Sequence, residues 1–226
     1  MTHAPVMRPP AQRELGAGVY NEKLGIWVFL GSEVMFFTAL IGAYIILRFA
    51  TPGAFAEPGK LLNVPVTAVN TFLLICSSVT MVKAFAAANM GNLKQMKLFL
   101  LATTVIGAAF VGVQVYEYTH LIHAGFLPSG IREGSELAEL ALAGELGLGR
   151  PDPAIAGIYG STFYTMTGFH GFHVTCGVVC LAYATTKAFR GKYTQTDHRG
   201  IEVIGLYWHF VDLVWIYLFP LLYLVG

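Results

Sequence analysis

The chemistry-bearing residues of this 226-residue chain sit inside its apolar stretches. The run Ile201 to Val225 is long enough to cross a bilayer and carries His209 and Asp212 near its middle, in YWHFVDLVW (207–215). Ionisable groups at that depth are costly unless they face other helices or water. Three residues apart on a helix, the two side chains share a face, so this helix has a polar seam that demands a partner. His170 and His173, in GFHGFH (168–173), have the spacing of two metal ligands on one helix. A haem would need axial histidines at matching depths on facing helices, drawn from His120, His123, His170, His173 and His209. Antiparallel helices bring His170 and His209 to similar depth, so a single site is geometrically open. No aromatic and glycine pattern for a porphyrin repeats across two helices. The expectation is therefore no metal, and a structural polar cluster joining His170, His173, His209 and Asp212.

Glu33, in GIWVFLGSEVMFF (25–37), is another carboxyl within a span, about 13 Å along its helix from Leu24 at 1.5 Å per residue. It is either a proton-carrying or substrate-binding group, or a neutral carboxyl hydrogen-bonded to a neighbouring helix or to lipid. Gln114 and Glu117, in VQVYEYTHLI (113–122), are one helical turn apart and read as hydrogen-bonding groups between helices. Cys76, Cys176 and Cys180 lie within spans, with no CxxC pair, and read as small packing residues.

The elements that must position these groups follow from composition. With 55% hydrophobic and 12% charged residues and a mean hydropathy of +0.61, the chain falls outside the soluble globular range. Five stretches are long enough to span: 24–48, 64–88, 98–122, 158–187 and 201–225. The expected fold is an all-α, polytopic bundle of five transmembrane helices over 24–226, without repeats or a soluble domain. Glycines 31, 42, 107, 112, 168, 171 and 177 suit close helix approach. Residues 1–23 are polar with Pro5, Pro9 and Pro10, as in a flexible cytoplasmic tail, and lack the pattern of a secretory signal. Placing the N-terminus inside puts ten of the fourteen Lys and Arg on the cytoplasmic face, which leaves the C-terminus outside. The outer segment 123–158 holds Glu133, Glu136, Glu139, Glu145 and Asp152 against two arginines; SELAELALAGELGLG (135–149) has helical periodicity. It is a solvated acidic loop or a docking surface for a cationic partner. A net charge of +1 offers no basic field for nucleic acid, and none is expected.

Five blocks, in order, carry a family resemblance: GIWVFLGSEVMFF, VNTFLLICSSVT (69–80), VQVYEYTHLI, GIYGSTFYTMTGFHGFHVTCG (157–177) and YWHFVDLVWIYLFPLLYLVG (207–226). Together they resemble subunit III of the haem-copper terminal oxidases in its short five-helix form, cytochrome c oxidase subunit III. The two extra N-terminal helices of the seven-helix mitochondrial form are absent, and the 130–155 loop is longer than in compact members. The resemblance implies a non-redox chain without a catalytic centre, in a proton-pumping enzyme of aerobic respiratory electron transport in the bacterial cytoplasmic membrane. Haem and copper belong to partner subunits I and II, a small subunit IV is a further possible partner, and bound phospholipid is expected. It also makes Glu33 the counterpart of the family's carbodiimide-reactive carboxyl and places Lys187 where the family sets a basic residue on a lipid headgroup, an arginine there and a lysine here.

On the inner surface, Asp197, His198 and Glu202 could feed protons toward subunit I, histidine being the residue type whose unperturbed pKa lies near neutrality; they could equally be loop residues without that role. The GSEVMFF glutamate and the YGSTF block lean toward cytochrome c as donor. Subunit III of a quinol oxidase and an accessory subunit of a nitric oxide reductase are the alternatives. A self-sufficient membrane haem protein is a further one. A transporter with Glu33 and Asp212 on the substrate path would call for repeats and broken helices, neither of which is evident.

Overall fold

The computed structural model describes residues 20–51, 55, 62–145 and 153–224. Most of the expected N-terminal tail, Lys60, and part of the acidic loop including Arg150 and Asp152 lie outside the described residues. Five long helices fall where the five apolar stretches were read: α1 (Asn21–Ala50), α2 (Val64–Asn89), α3 (Leu93–Ala124), α5 (Pro153–Phe189) and α6 (Arg199–Phe219). A short α4 (Glu136–Leu142) lies in the acidic segment, its first turn capped by the Ser135 hydroxyl accepting from Ala138 N–H. Helix α1 already begins at Asn21, within the stretch read as tail.

Among the described residues, four helices are long and apolar enough to cross a membrane: α1, α2, α3, and α6 with its continuation to Leu224. At 37 residues α5 is the longest, but Ser161, Thr162, Thr165, Thr167, His170 and His173 dilute its apolarity. Outward faces are oily: Val28, Met35, Ile46 and Phe49 on α1 are each more than two-thirds exposed. Lipid satisfies such faces as well as protein does, so they need no internal partner.

Local chemistry sets the helix ends. Asn63 and Asn92 open α2 and α3, their side-chain oxygens accepting from the N–H groups of Val66 and Gln95. Pro65 occupies the first turn of α2, where its missing N–H costs nothing. The α2–α3 turn passes through Gly91 at φ 75°, a left-handed conformation glycine adopts without strain. Helix α3 stops at Gly125 (φ 100°), and the chain enters a two-stranded antiparallel ribbon, β1 (Phe126–Leu127) and β2 (Gly130–Ile131), absent from the sequence expectation. The ribbon rests on α5: a Cβ on Gly160 or Gly157 would meet the carbonyl oxygen of Leu127 at 2.4 Å or of Ser129 at 2.7 Å. These two glycines of GIYGS therefore serve the ribbon.

The packing centre is α2, α3, α5 and α6. Trp208 of α6 wedges between α3 and α5: a Cβ on Gly107 would lie 2.5 Å from its ring, and one on Gly177 would lie 2.9 Å away. Its indole N–H donates to Ser77 Oγ of α2 at 2.9 Å. One turn-pair later Trp215 donates to Thr71 Oγ1 at 2.8 Å. Among the described residues, Gly31, Gly42 and Gly112 have no neighbour within 4 Å of a built Cβ, so the expectation of close approach holds at Gly107, Gly171 and Gly177 but not at these three. Pro220, which lacks an N–H to continue α6, begins a π-helical turn through Leu224. Two carbonyls of that turn accept from tyrosines elsewhere, Leu221 from Tyr44 at 2.9 Å and Leu222 from Tyr159 at 3.2 Å. That satisfies oxygens which an irregular helix end would leave bare in hydrocarbon.

Candidate functional site

Helix α1 brings Glu33 against α5, where its Oε2 lies 3.1 Å from His173 Nε2. The two side chains retain 18% and 12% exposure, so the pair sits at the edge of the bundle rather than sealed within it. His173 Nδ1 lies 2.7 Å from the Phe169 carbonyl oxygen one turn back. Phe37 presents to the imidazole at 5.2 Å between ring centroids, and Phe172 flanks it at 5.8 Å. His173 belongs with Glu33, then, and not with His209 and Asp212.

The other members of the expected four-residue cluster also separate. His170 is fully buried, stacked on Trp215 at 4.7 Å and met edge-on by Phe110 at 6.0 Å. Among the described residues, neither of its ring nitrogens has a protein partner. Asp212 takes its hydrogen bond from the Ser78 hydroxyl of α2 rather than from His209, and its Oδ1 is buried without a partner among the described residues. The i, i+3 rule put His209 and Asp212 on one face correctly. It could not show that Asp212 would find a hydroxyl across the interface first.

Gln114 and Glu117 do bridge helices. Gln114 donates to the Thr167 carbonyl of α5 at 2.8 Å, its amide lying over Gly171, where a Cβ would approach within 2.8 Å. Tyr118 and Thr167 share a hydroxyl–hydroxyl bond beside it. Glu117 accepts from Thr67 of α2 at 3.1 Å and from Tyr223 of the terminal π-turn at 3.0 Å.

At the end of the bundle that carries the α2–α3 and α5–α6 turns, Lys187 Nζ sits 5.1 Å from the Tyr193 ring and 5.9 Å from that of Tyr183. These groups line a cavity of about 650 Å³ together with Glu22, Asp197 and Arg199. Burial pushes the Tyr193 phenol above its ordinary value, keeping it a neutral hydrogen-bonding group beside the lysine. The three residues expected to act together at this surface part company. Asp197 faces the cavity, while His198 Nε2 contacts Asn89 Oδ1 at 2.7 Å. Glu202 accepts from the Lys23 ammonium and, at 2.7 Å, from the Tyr20 hydroxyl, joining α6 to the start of α1. Burial, and then the hydrogen bond to Glu202, push the Tyr20 phenol upward.

Among the described residues no three His, Cys, Asp or Glu side chains group as metal ligands would. Cys76, Cys176 and Cys180 are free thiols. Sequence reasoning missed Ser78, Thr67, Tyr223, Tyr20 and Lys23, which partner the carboxyls. The hydroxyls of NTFLLICSSVT on α2 were the available signal, since polar residues in such a stretch point inward.

Comparison with known proteins gives the same outline. A family model described as cytochrome c oxidase subunit III matches residues 17–127 and 153–226, leaving out the acidic segment between them. The chain is 31% identical over 206 residues to cytochrome c oxidase subunit 3 of Bacillus sp. (strain PS3), covering 91% of this chain and 86% of that protein. It is 31% identical over 203 residues to quinol oxidase subunit 3 of Bacillus subtilis (strain 168), covering 90% and 86%. Probable cytochrome c oxidase subunit 3 of Nocardia farcinica (strain IFM 10152) is 35% identical over 206 residues, covering 89% and 87%.

Proposed function

This chain belongs to the cytochrome c oxidase subunit III family, and on that premise we propose that it steadies subunit I of a proton-pumping haem-copper oxidase and carries no electrons itself. The observation that carries this reading is how the polar groups within the bundle are engaged. Glu33 reaches His173, Gln114 reaches Thr167, Glu117 reaches Thr67 and Tyr223, and Asp212 reaches Ser78. Each contact ties one helix to another, so these groups rigidify a scaffold instead of converging on a reacting atom. Haem and copper then belong to partner subunits I and II, and subunit I is the direct partner, with a small subunit IV alongside.

In this reading all five long helices cross the bacterial cytoplasmic membrane, with the N-terminus inside and the C-terminus outside. Thr167 and His170 of α5 are buried against Gln114 of α3 and Trp215 of α6, which supports a fifth crossing despite its lower apolarity. The Lys187 cavity then opens on the cytoplasmic side. Its two cations, two carboxylates and two phenols suit a phospholipid headgroup there. Asp197, at the rim of that cavity, is the member of the inner-surface trio best placed to exchange protons with water.

Relatives named for both cytochrome c and quinol oxidases stand at the same identity, so the donor is a proposal too. We assign cytochrome c on the GSEVMFF and YGSTF blocks, with quinol as the second reading. Purification of the complex in mild detergent tests the whole assignment. The chain should travel with a larger haem protein and, once separated, show no Soret band; haem bound one-to-one to the separated chain would overturn it. Oxygen uptake driven by reduced cytochrome c, and not by a quinol, is the expected donor result.

A further inference from the structure

Two histidines near mid-depth find no hydrogen-bond partner among the described residues. His170 is sealed inside the bundle by aromatic rings. His209 is half-buried on the outward side of α6, and the nearby Asp212 is engaged by Ser78 instead. At 1.5 Å per residue His209 lies about 15 Å along α6 from Arg199, midway through a hydrocarbon core about 30 Å thick. A neutral imidazole carries one donor and one acceptor. Acyl chains can meet neither, so lipid alone would leave an unsatisfied polar group at the most costly depth.

The neighbours of His209 on that face are regularly spaced. Leu206, His209, Leu213 and Ile216 follow one another at intervals of three, four and three residues. That alternation makes a straight seam in which the side chains of a second helix can seat, and a single polar residue within such a seam fixes the register of the pair. Leu213 and Ile216 are 51% and 44% exposed, whereas Val211, Trp215 and Leu218 fill the opposite side of α6 within the bundle.

We propose that this face of α6 is the docking seam for a membrane-crossing helix of subunit I, which presents to His209 a hydroxyl or carboxamide able both to donate and to accept. This docking rests on the reading of subunit I as the direct partner. The apolar members of the seam supply close packing, and His209 selects the one register in which its ring nitrogens are met.

Photo-crosslinking in native membranes tests the seam in the assembled complex, with benzoylphenylalanine in place of Leu213 or Ile216. Both positions should join this chain to subunit I, and the same probe in place of Phe172, 65% exposed on α5, should give that product several-fold less. Lipid adducts alone, crosslinks to a second copy of this chain, or equal yield from the Phe172 position would overturn the seam. If the chain still purified with the haem subunit, the scaffold reading would survive that result; a chain that never travels with a haem protein would overturn both. His209→Gln keeps a donor and an acceptor and should hold the chain in the complex as wild type does. His209→Leu should release it at a several-fold lower detergent concentration, and release unchanged in this variant would also overturn the proposal.

Discussion

Two residues of the 30-residue α1 are buried, Phe37 and Tyr44, against nine along the 21-residue α6. The difference is one of attachment. Helix α6 lies in a groove shaped to it, with Trp208 pressed between Gly107 and Gly177 and both tryptophans hydrogen-bonded to α2. Helix α1 is pinned at three levels by polar contacts: Lys23 and Tyr20 to Glu202, Glu33 to His173, and Tyr44 to the Leu221 carbonyl. In water such a helix would need an apolar stripe against the core. In hydrocarbon, area alone does not drive association, and close packing or polar bonds must do it. The bundle uses the first means at its centre and the second at its edge.

Filling the centre should therefore cause the largest loss. Gly107→Leu would force the Trp208 ring out of its slot, an overpacking cost of about 3 kcal/mol. The measurable result is early loss of this chain from the complex on warming in detergent. Gly42→Leu, facing open space on α1, should leave the melting of this chain unchanged. If Gly42→Leu instead frees the chain from the complex while its own fold persists, the open face of α1 lies against another subunit, which sharpens the comparison. Equal damage to the fold itself from both changes would break it.

The two modes of attachment differ in how legible they are. The long helices were readable because membrane length and apolarity act over twenty residues at a time, and all five stretches became helices within a few residues of their expected ends. The capped helix in the acidic segment was readable from its periodicity. Pairings were not. Sequence spacing says which side chains share a face of one helix, and this placed His170 with His173 and His209 with Asp212. It says nothing of what lies opposite. There, the depth match between His170 and His209 was a poor guide, because Trp215 stacks on His170 and fills its surroundings. Ser78 reached Asp212 and Glu33 reached His173 through helix rotation, a property of packing rather than of the one-dimensional pattern.

Asp212 tests the centre with a polar change of intermediate size. Its partner is a hydroxyl that can turn back to its own helix, so Asp212→Ala should cost about 1 kcal/mol, the scale of one neutral hydrogen bond. Asp212→Asn keeps an acceptor and should cost less. Both variants should retain the haem spectrum of the complex while shedding this chain more readily than wild type. Oxygen reduction lost at once from a complex that still holds the chain would place Asp212 in the chemistry and overturn the scaffold reading. At the edge, Glu33→Gln should assemble nearly normally, because the amide can still donate to Nε2. A hydrophobic carbodiimide, which needs an apolar, protonated carboxyl, should label wild type at Glu33 and not label this variant. Labelling spread evenly over Glu133, Glu136 and Glu139 would count against the neutral acid.

The smallest effect belongs to the tie at the start of α1. Lys23 and Glu202 keep 28% and 24% side-chain exposure, so water and salt screen the pair and Lys23→Met should cost about 0.5 kcal/mol, falling further in high salt. Tyr20 adds a pH dependence of definite sign. Its folded phenol value is raised above the ordinary value of about 10, so at high pH the folded chain holds a proton that the unfolded chain releases. The contribution is therefore intact below about pH 10 and declines as pH rises past it. Tyr20→Phe should flatten that alkaline decline in a melting series while changing neutral-pH stability little, and Glu202→Gln should reduce it by removing the carboxylate that disfavours the phenolate. An alkaline limb unchanged in Tyr20→Phe would mean that the phenol adds nothing to this tie, leaving the Lys23 ammonium alone to join the start of α1 to Glu202.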